Sequence, residues 1–261
     1  MKKFLSVLLC AVMALSLAAC GGEAAPAVEI NGPDDLTGTK IGVQLGTVAD
    51  TYASDIEGAT VERYGKFAEA VQALKQGKLD AVIIDDQPAK FFLQDNADLK
   101  VLEEAFVEED YAICIAKDNE DLLAQVNAAL AELKAEGVLD QLTDCYINNV
   151  EGVIGYQSPA DADHSKGVLV MATNAEFPPY EYHDGMDTIV GFDVDLATAI
   201  CDKLGYGLKI EDMAFDSIIA AVQTGKADFG AAGMTVTPER QEQVNFTDNI
   251  CHAKQVIMVR K

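Results

Sequence analysis

Two charged side chains stand in this sequence where a partner of opposite sign is expected. Arg240 closes the segment Ala232-Gly233-Met234-Thr235-Val236-Thr237-Pro238-Glu239-Arg240, which follows the apolar run Phe229–Ala232. That run reads as a buried strand, so the segment lies at a strand's carboxyl end, where open α/β sheets place ligands. Thr237 suits a helix N-cap and Pro238 the first helical position. Arg240 then projects from a first helical turn, where a cation opposes the helix dipole. Its planar fork grips a carboxylate at two points. The alternative is an exposed arginine paired with Glu239 or Glu242. Asp85 directly follows a second buried run, Ala81–Ile84. It either holds a ligand ammonium or caps the helix that starts near Pro88.

Three further groups belong beside these two. Strand Ile41–Val43 runs into Gln44-Leu45-Gly46-Thr47, and Thr47-Val48-Ala49-Asp50 matches a loose capping box. The helix that Thr47 opens either offers its free N–H groups to a carboxylate or is a plain capped helix. Asn174-Ala175-Glu176-Phe177-Pro178-Pro179-Tyr180 reads as an extended loop, because consecutive prolines disfavour helix. Phe177, and Phe215 at a helix start, are either apolar walls for a ligand side chain or ordinary core.

The elements that position these groups follow from periodicity and stop signals. Strands are expected at 40–43, 60–64, 81–84, 168–172, 229–232 and 256–259, and helices at 47–56, 67–76, 122–136, 193–204 and 215–224. Alternating strands and helices argue for parallel sheets covered on both faces. Residues 148–166 lose periodicity and read as a surface linker. One repeat organises the rest: Phe67-x9-Gly77-Lys78-x-Asp80 recurs as Phe215-x9-Gly225-Lys226-x-Asp228. Two lobes built alike explain it, as does coincidence within one extended domain.

Longer strings resemble the type II periplasmic amino-acid-binding proteins (extracellular solute-binding, family 3) of ABC importers. "ATNAEFPPYEY", "GFDVDLATAICDKLG", "AFDSIIAAVQTGKADFGAAGMTVTPER" and "VNFTD" are similar to that family's first half. "LTGTKIGVQLGT", "AVQALKQGKLDAVIIDDQPA" and "VNAALAELKAEGVLDQL" are similar to its second half. The order is reversed, so the resemblance implies a circular permutation. The implied fold is α/β, two-lobed and of periplasmic-binding-protein type II, each lobe a mixed sheet flanked by helices. Residues 35–109 would form lobe two, 110–147 return to lobe one, 148–166 join the old termini, and 167–261 complete lobe one. A single covalent crossing is then expected near Glu108–Tyr111, with Val256–Lys261 beside the 111–116 strand.

Carried over onto matching positions, the resemblance implies that Arg240 clamps a ligand α-carboxylate, assisted by Thr235 and Thr47. Asp85 and the Gly233 backbone would take the α-ammonium, with Ala232 alongside. Phe177 and Phe215 would sandwich the side chain, while Asn174, Glu176 and Gln44 would tune specificity. Val48 stands where relatives often carry a smaller residue, which narrows the space near the carboxylate. The implied partners are a free amino acid, polar or cationic by preference, and the membrane permease of an ABC importer; the working form is expected to be a monomer.

The N-terminus and composition fit an exported protein. Lys2 and Lys3 precede the apolar run Phe4–Leu17, which ends in Leu17-Ala18-Ala19-Cys20. Residues 1–19 read as a lipoprotein signal peptide, Cys20 as the lipidated residue and 20–34 as a flexible tether. The run is shorter than the ~20 apolar residues of a membrane span. Losing both lysines takes the net charge from −24 to −26, which argues against tracking along nucleic acid. The remaining Cys114, Cys145, Cys201 and Cys251 lack C-x-x-C spacing, so neither a zinc site nor any other cofactor is expected; disulfides and free thiols both remain open. The rival reading is an exported small-molecule enzyme, dehydratase-like, on the same scaffold, with Glu176 as its acid or base. A ligand-sensing module is a third.

Overall fold

The computed structural model describes residues 29–185 and 188–261. The expected signal peptide and Cys20 lie outside the described residues. The strands, in chain order, are β1 (Lys40–Gln44), β2 (Thr60–Tyr64), β3 (Ala81–Asp85), β4 (Leu99–Val101), β5 (Val107–Tyr111), β6 (Cys114–Ala116) and β7 (Val168–Thr173). They continue as β8 (Glu176–Phe177), β9 (Glu181–His183), β10 (Ile189–Val190), β11 (Gly207–Asp212), β12 (Phe229–Gly230), β13 (Val244–Phe246) and β14 (Cys251–Arg260). The α-helices are α1 (Val48–Ser54), α2 (Phe67–Lys75), α3 (Asp86–Gln94), α4 (Glu120–Ala135), α5 (Val138–Leu142), α6 (Phe192–Leu204), α7 (Ile218–Gln223) and α8 (Pro238–Gln241).

Two main sheets define the lobes. Lobe two has the order β2-β1-β3-β14-β4, with β5 also paired to β14. β1 runs parallel to β2 and β3, whereas β14 runs antiparallel to its three partners. Lobe one has the order β11-β7-β12-β6-β13, and β8, β9 and β10 form a small antiparallel sheet beside it. β3 is buried at every residue. Its Ala81 and Ile83 belong to one apolar cluster, while Val82 and Ile84 belong to another. A strand covered on both faces needs such a continuous apolar run.

The repeated motif is the same device in both lobes. Gly77 and Gly225 both have φ +71°, the left-handed conformation that ends a helix. The Lys78 N–H donates to the Ala73 carbonyl at 3.0 Å, and the Lys226 N–H to the Ala221 carbonyl at 2.9 Å. Asp80 Oδ2 accepts the Lys40 N–H at 2.9 Å, and Asp228 Oδ2 accepts the Val170 N–H at 2.7 Å. Each aspartate thus ties the start of the following strand to the parallel strand beside it.

Three sequence expectations are corrected. Lobe one does not end at residue 261. β14 pairs Cys251–Gln255 with Tyr111–Val107, and its next residues with β3 and β4. Val256–Lys261 therefore lie inside lobe two rather than beside the 111–116 strand, and two strands cross between the lobes. The apolar run 256–259 was only the buried half of a longer strand. Second, the tether is shorter than 20–34: Pro33–Leu36 form a 3-10 turn, and Ile30 and Leu36 are buried in lobe two's core. Third, β12 stops at Gly230, so Ala231 and Ala232 already belong to the loop that carries the site.

The 148–166 segment has no helix or strand, as expected, but α6 holds it down. Asp195 Oδ2 accepts the Tyr156 N–H and the Tyr146 hydroxyl, both at 2.8 Å, and the His164 ring pairs with Asp202 at 2.7 Å. All four described cysteines are free thiols.

Candidate functional site

Arg240 sits on α8, whose geometry follows its sequence. The Thr237 hydroxyl accepts the Arg240 N–H at 3.2 Å, and Pro238 opens the helix. The guanidinium is buried; Nη1 donates to the Thr235 carbonyl at 2.8 Å, and Nη2 to the Gly46 carbonyl of lobe two at 3.1 Å. It lies 5.4 Å from the centroid of the Phe215 ring, so that phenyl is a floor under the cation. Among the described residues no carboxylate forms an ion pair with it, and pairing with Glu239 or Glu242 is not what holds it. Burial draws its pKa below the ordinary guanidinium value. A buried cation held by carbonyls alone has its charge uncompensated and can accept an incoming anion.

Asp85 occupies the N-cap position of α3 but makes no side-chain cap hydrogen bond. Its carboxyl instead accepts from the Tyr111 hydroxyl, and from Gln255 Nε2 at 2.7 Å. Burial, and after it the charge of Glu109, pushes this carboxyl up to about 7. An ammonium beside it restores the ionised form and receives a charge-assisted hydrogen bond.

Between the two charges, the polar groups are fixed by specific bonds. The Thr47 hydroxyl accepts from the Asp50 N–H at 3.4 Å and donates to the Gln44 carbonyl at 2.8 Å. Gln44 Nε2 reaches across the cleft to Asn174 Oδ1 at 2.8 Å, and Asn174 Nδ2 donates to the Met213 carbonyl at 2.8 Å. Gly233 has φ +52°, and a Cβ there would stand 2.6 Å from Phe177 Cε1. Its N–H donates to Asp193 Oδ2 at 2.8 Å, so the group it offers a ligand is its carbonyl. Burial pushes Asp193 up to about 6 and holds the fully buried Glu181 beside it well above the usual carboxylate range. Neither Glu181 oxygen meets a donor among the described residues. A protonated Glu181 donating to Asp193 satisfies both.

These residues enclose a narrow cavity of about 10 Å³ between the lobes. Gln44, Thr47, Val48 and Asp85 face it from lobe two, and Asn174, Phe177, Phe215, Ala232, Gly233, Thr235 and Arg240 from lobe one. That is room for about one water, so a ligand enters only when the lobes part. Two wider grooves flank it, one along the hinge past Glu108 and Asp110 and one outside Arg240 past Gln243; neither brings Arg240 and Asp85 together.

Glu176 is corrected: it lies outside this cavity and forms an ion pair with Lys66 of lobe two. A two-residue strand, β8, puts Glu176 and Phe177 on opposite faces, and Phe177 takes the inner one. The walls are not quite those expected of a sandwich either. Phe177 stacks on Tyr180 at 5.6 Å and 24°, while Phe215 lies under Arg240. Sequence reasoning missed Tyr111, Glu109 and Gln255, which sit behind the site on the hinge strands. The one available signal was that the acidic run Glu108-Glu109-Asp110 ends in a tyrosine before an apolar stretch.

Comparison with known proteins matches residues 169–261 to the bacterial extracellular solute-binding proteins, family 3. The arginine-binding extracellular protein ArtP of Bacillus subtilis (strain 168) is 42% identical over 104 residues, which cover 40% of each chain. The L-cystine-binding protein TcyJ of Escherichia coli (strain K12) is 35% identical over 113 residues, 42% of each chain. The structure of an ancestral arginine-binding protein bound to arginine is 49% identical over 33% of this chain and 38% of that one, with a TM-score of 0.32. The chain thus spans about two-fifths of the length of the curated relatives it matches.

Proposed function

We propose that the protein, whose residues 169–261 match family 3 of the bacterial extracellular solute-binding proteins, captures a free amino acid between its lobes and delivers it to the membrane permease of an ABC importer. The observation that carries this reading is the pair Arg240 and Asp85. Opposite charges from different lobes face one cavity, and both are buried. A guanidinium and a carboxyl of this kind would take the carboxylate and ammonium of a zwitterion, and such binding involves no chemical step. Each charge-assisted hydrogen bond contributes roughly 1.5–3 kcal/mol. A ligand of about ten heavy atoms at ~0.8 kcal/mol each reaches a micromolar Kd. A ligand gripped from both lobes favours the closed arrangement and shifts that population.

L-Arginine is the first cargo to test, because several relatives carry arginine in their names. The chain works as a monomer, anchored on the outer face of the cytoplasmic membrane through Cys20. Its order of halves is circularly permuted: the family match falls on the C-terminal part of the chain, while residues 35–109 supply β1 to β5 of the other lobe.

A thermal-shift panel of the twenty amino acids tests the reading. A ligand at 100 times its Kd adds about 2.7 kcal/mol of stability, and Arg240→Ala is expected to abolish the shift. No shift with any of the twenty would remove the proposal.

A further inference from the structure

Behind the cavity, two hydrogen bonds converge on one residue that does not line it. Glu109 Oε2 accepts from the Thr235 hydroxyl at 2.9 Å and from Gln255 Nε2 at 3.1 Å. The same Gln255 amide donates to Asp85 Oδ1 at 2.7 Å. One carboxylate on crossing strand β5 thereby fixes a hydroxyl on the Arg240 side of the site and, through an amide on crossing strand β14, the carboxyl on the other side. Glu109 is buried, and its Oε1 has no hydrogen-bond partner among the described residues.

We propose that Glu109 is the positioning residue of the site: it aligns Thr235 and Asp85 across the hinge, and its charge sets the pH below which the bound amino acid is released. The ligand half of this inference rests on the amino-acid reading above.

The electrostatics have the right sign. Asp85 is faced by Glu109 and Tyr111 from β5, by Arg240 from α8, and by Tyr180 and Glu181 from the small sheet and its turn. Tyr52 on α1 faces Glu109, and burial followed by the Glu109 charge pushes its hydroxyl up to about 12. Of the groups around Asp85, the hydrogen bonds from Tyr111 and Gln255 favour its ionised form. Burial holds the Tyr111 hydroxyl and the Glu181 carboxyl well above their usual ranges. After burial itself, the charge of Glu109 is the next cause that opposes ionisation of Asp85. The ligand ammonium needs that ionised form, so binding below the Asp85 midpoint expels a proton, and affinity falls about tenfold per pH unit there. The Gln255 amide donates to both carboxyls, and its bond to Asp85 offsets part of the repulsion.

The test uses the full chain with 13C NMR of its aspartate carboxyls, which reads the Asp85 titration without ligand, and with the Kd of L-arginine from pH 5.5 to 8. Asp85→Asn identifies the resonance. Glu109→Gln keeps an oxygen acceptor for Thr235 and Gln255 but removes the charge. It is expected to lower the Asp85 midpoint by about one unit and to move the break in the Kd profile down with it. Glu109→Asp keeps the charge and shortens the reach; its midpoint should stay near wild type while Kd rises at every pH. A Glu109→Gln midpoint unchanged from wild type overturns the proposal, as does a Kd raised equally at all pH values with the break in place. If the midpoint moves but arginine does not bind, the charge coupling stands and the choice of cargo is what fails.

Discussion

At the scale of single residues, the site is a set of groups whose preferred partners are only half supplied. Arg240 lies among carbonyls and a phenyl ring without a carboxylate, and its truncation should do more than remove one contact. Arg240→Ala is expected to weaken ligand binding at least about thirtyfold, and Arg240→Lys to recover little, because a point charge does not reproduce the two-pronged grip. Calorimetric titration of both variants measures this. Gly233→Ala places a methyl against Phe177 in a left-handed backbone. It should cost about 1–3 kcal/mol of stability and weaken binding, since the carbonyl that faces the ammonium moves with the backbone; thermal melts with and without ligand report the two losses separately.

The buried acids also give the ligand-free protein an unusual pH profile. Asp85, Asp193 and Glu181 are all pushed upward by burial, so the folded state holds protons that the unfolded chain has lost near pH 4. The contribution of Asp193 and Asp85 to stability is complete below the unfolded values and is lost as pH rises through about 6 and about 7 respectively; Glu181 acts in the same direction. The ligand-free Tm should therefore climb as pH falls from 8 to 5, with a shallower climb in Asp85→Asn. Ligand stabilisation should run the other way, growing toward pH 8. A ligand-free Tm that falls over this range would contradict the assignment.

At the scale of elements, the helix–Gly-Lys-x-Asp–strand unit was readable because its message is local. Glycine permits the left-handed stop, and the aspartate two residues after Lys anchors the neighbouring strand. Asp80→Asn and Asp228→Asn are each expected to cost about 1 kcal/mol, and hydrogen exchange should quicken at Lys40 in the first and at Val170 in the second. The charged ends of the site were readable for a similar reason: Asp85 and Arg240 each follow a buried strand at a fixed distance. β14 was not readable as a whole. Its first half, Cys251-His252-Ala253-Lys254-Gln255, alternates toward solvent, and only the fully buried half looks like a strand from composition alone. Glu109 was hidden for the opposite reason. In an acidic run a carboxylate is ordinarily a solvated one, and only pairing of β5 with β14 turns this one inward.

At the scale of the whole molecule, two crossing strands and a rim of contacts decide how the lobes meet. Lys66 and Glu176 join the lips of the cleft, and Phe91 on α3 meets Tyr182 of the small sheet at 6.2 Å. The ion pair is half exposed, so Lys66→Ala should speed ligand release only a few-fold, an effect fading with salt; stopped-flow dissociation at two ionic strengths checks it. Deleting residues 256–261 is far more severe. It removes Val256, Ile257, Met258 and Val259, all buried, at roughly 2 kcal/mol each, from a fold whose margin is only about 5–15 kcal/mol. Lobe two should then lose its cooperative melt.

The separation of β14 from β3 along the chain also orders events in time. β1, β2 and β3 are made well before the strand that sits between β3 and β4, with Gln255 pairing to Asp85 across the whole intervening lobe. Contacts so distant along the chain are slow to form. The sheet that β1 begins is thus completed only after the strands of lobe one are made, and until β14 arrives that half-built sheet presents an open edge to whatever accompanies the nascent chain.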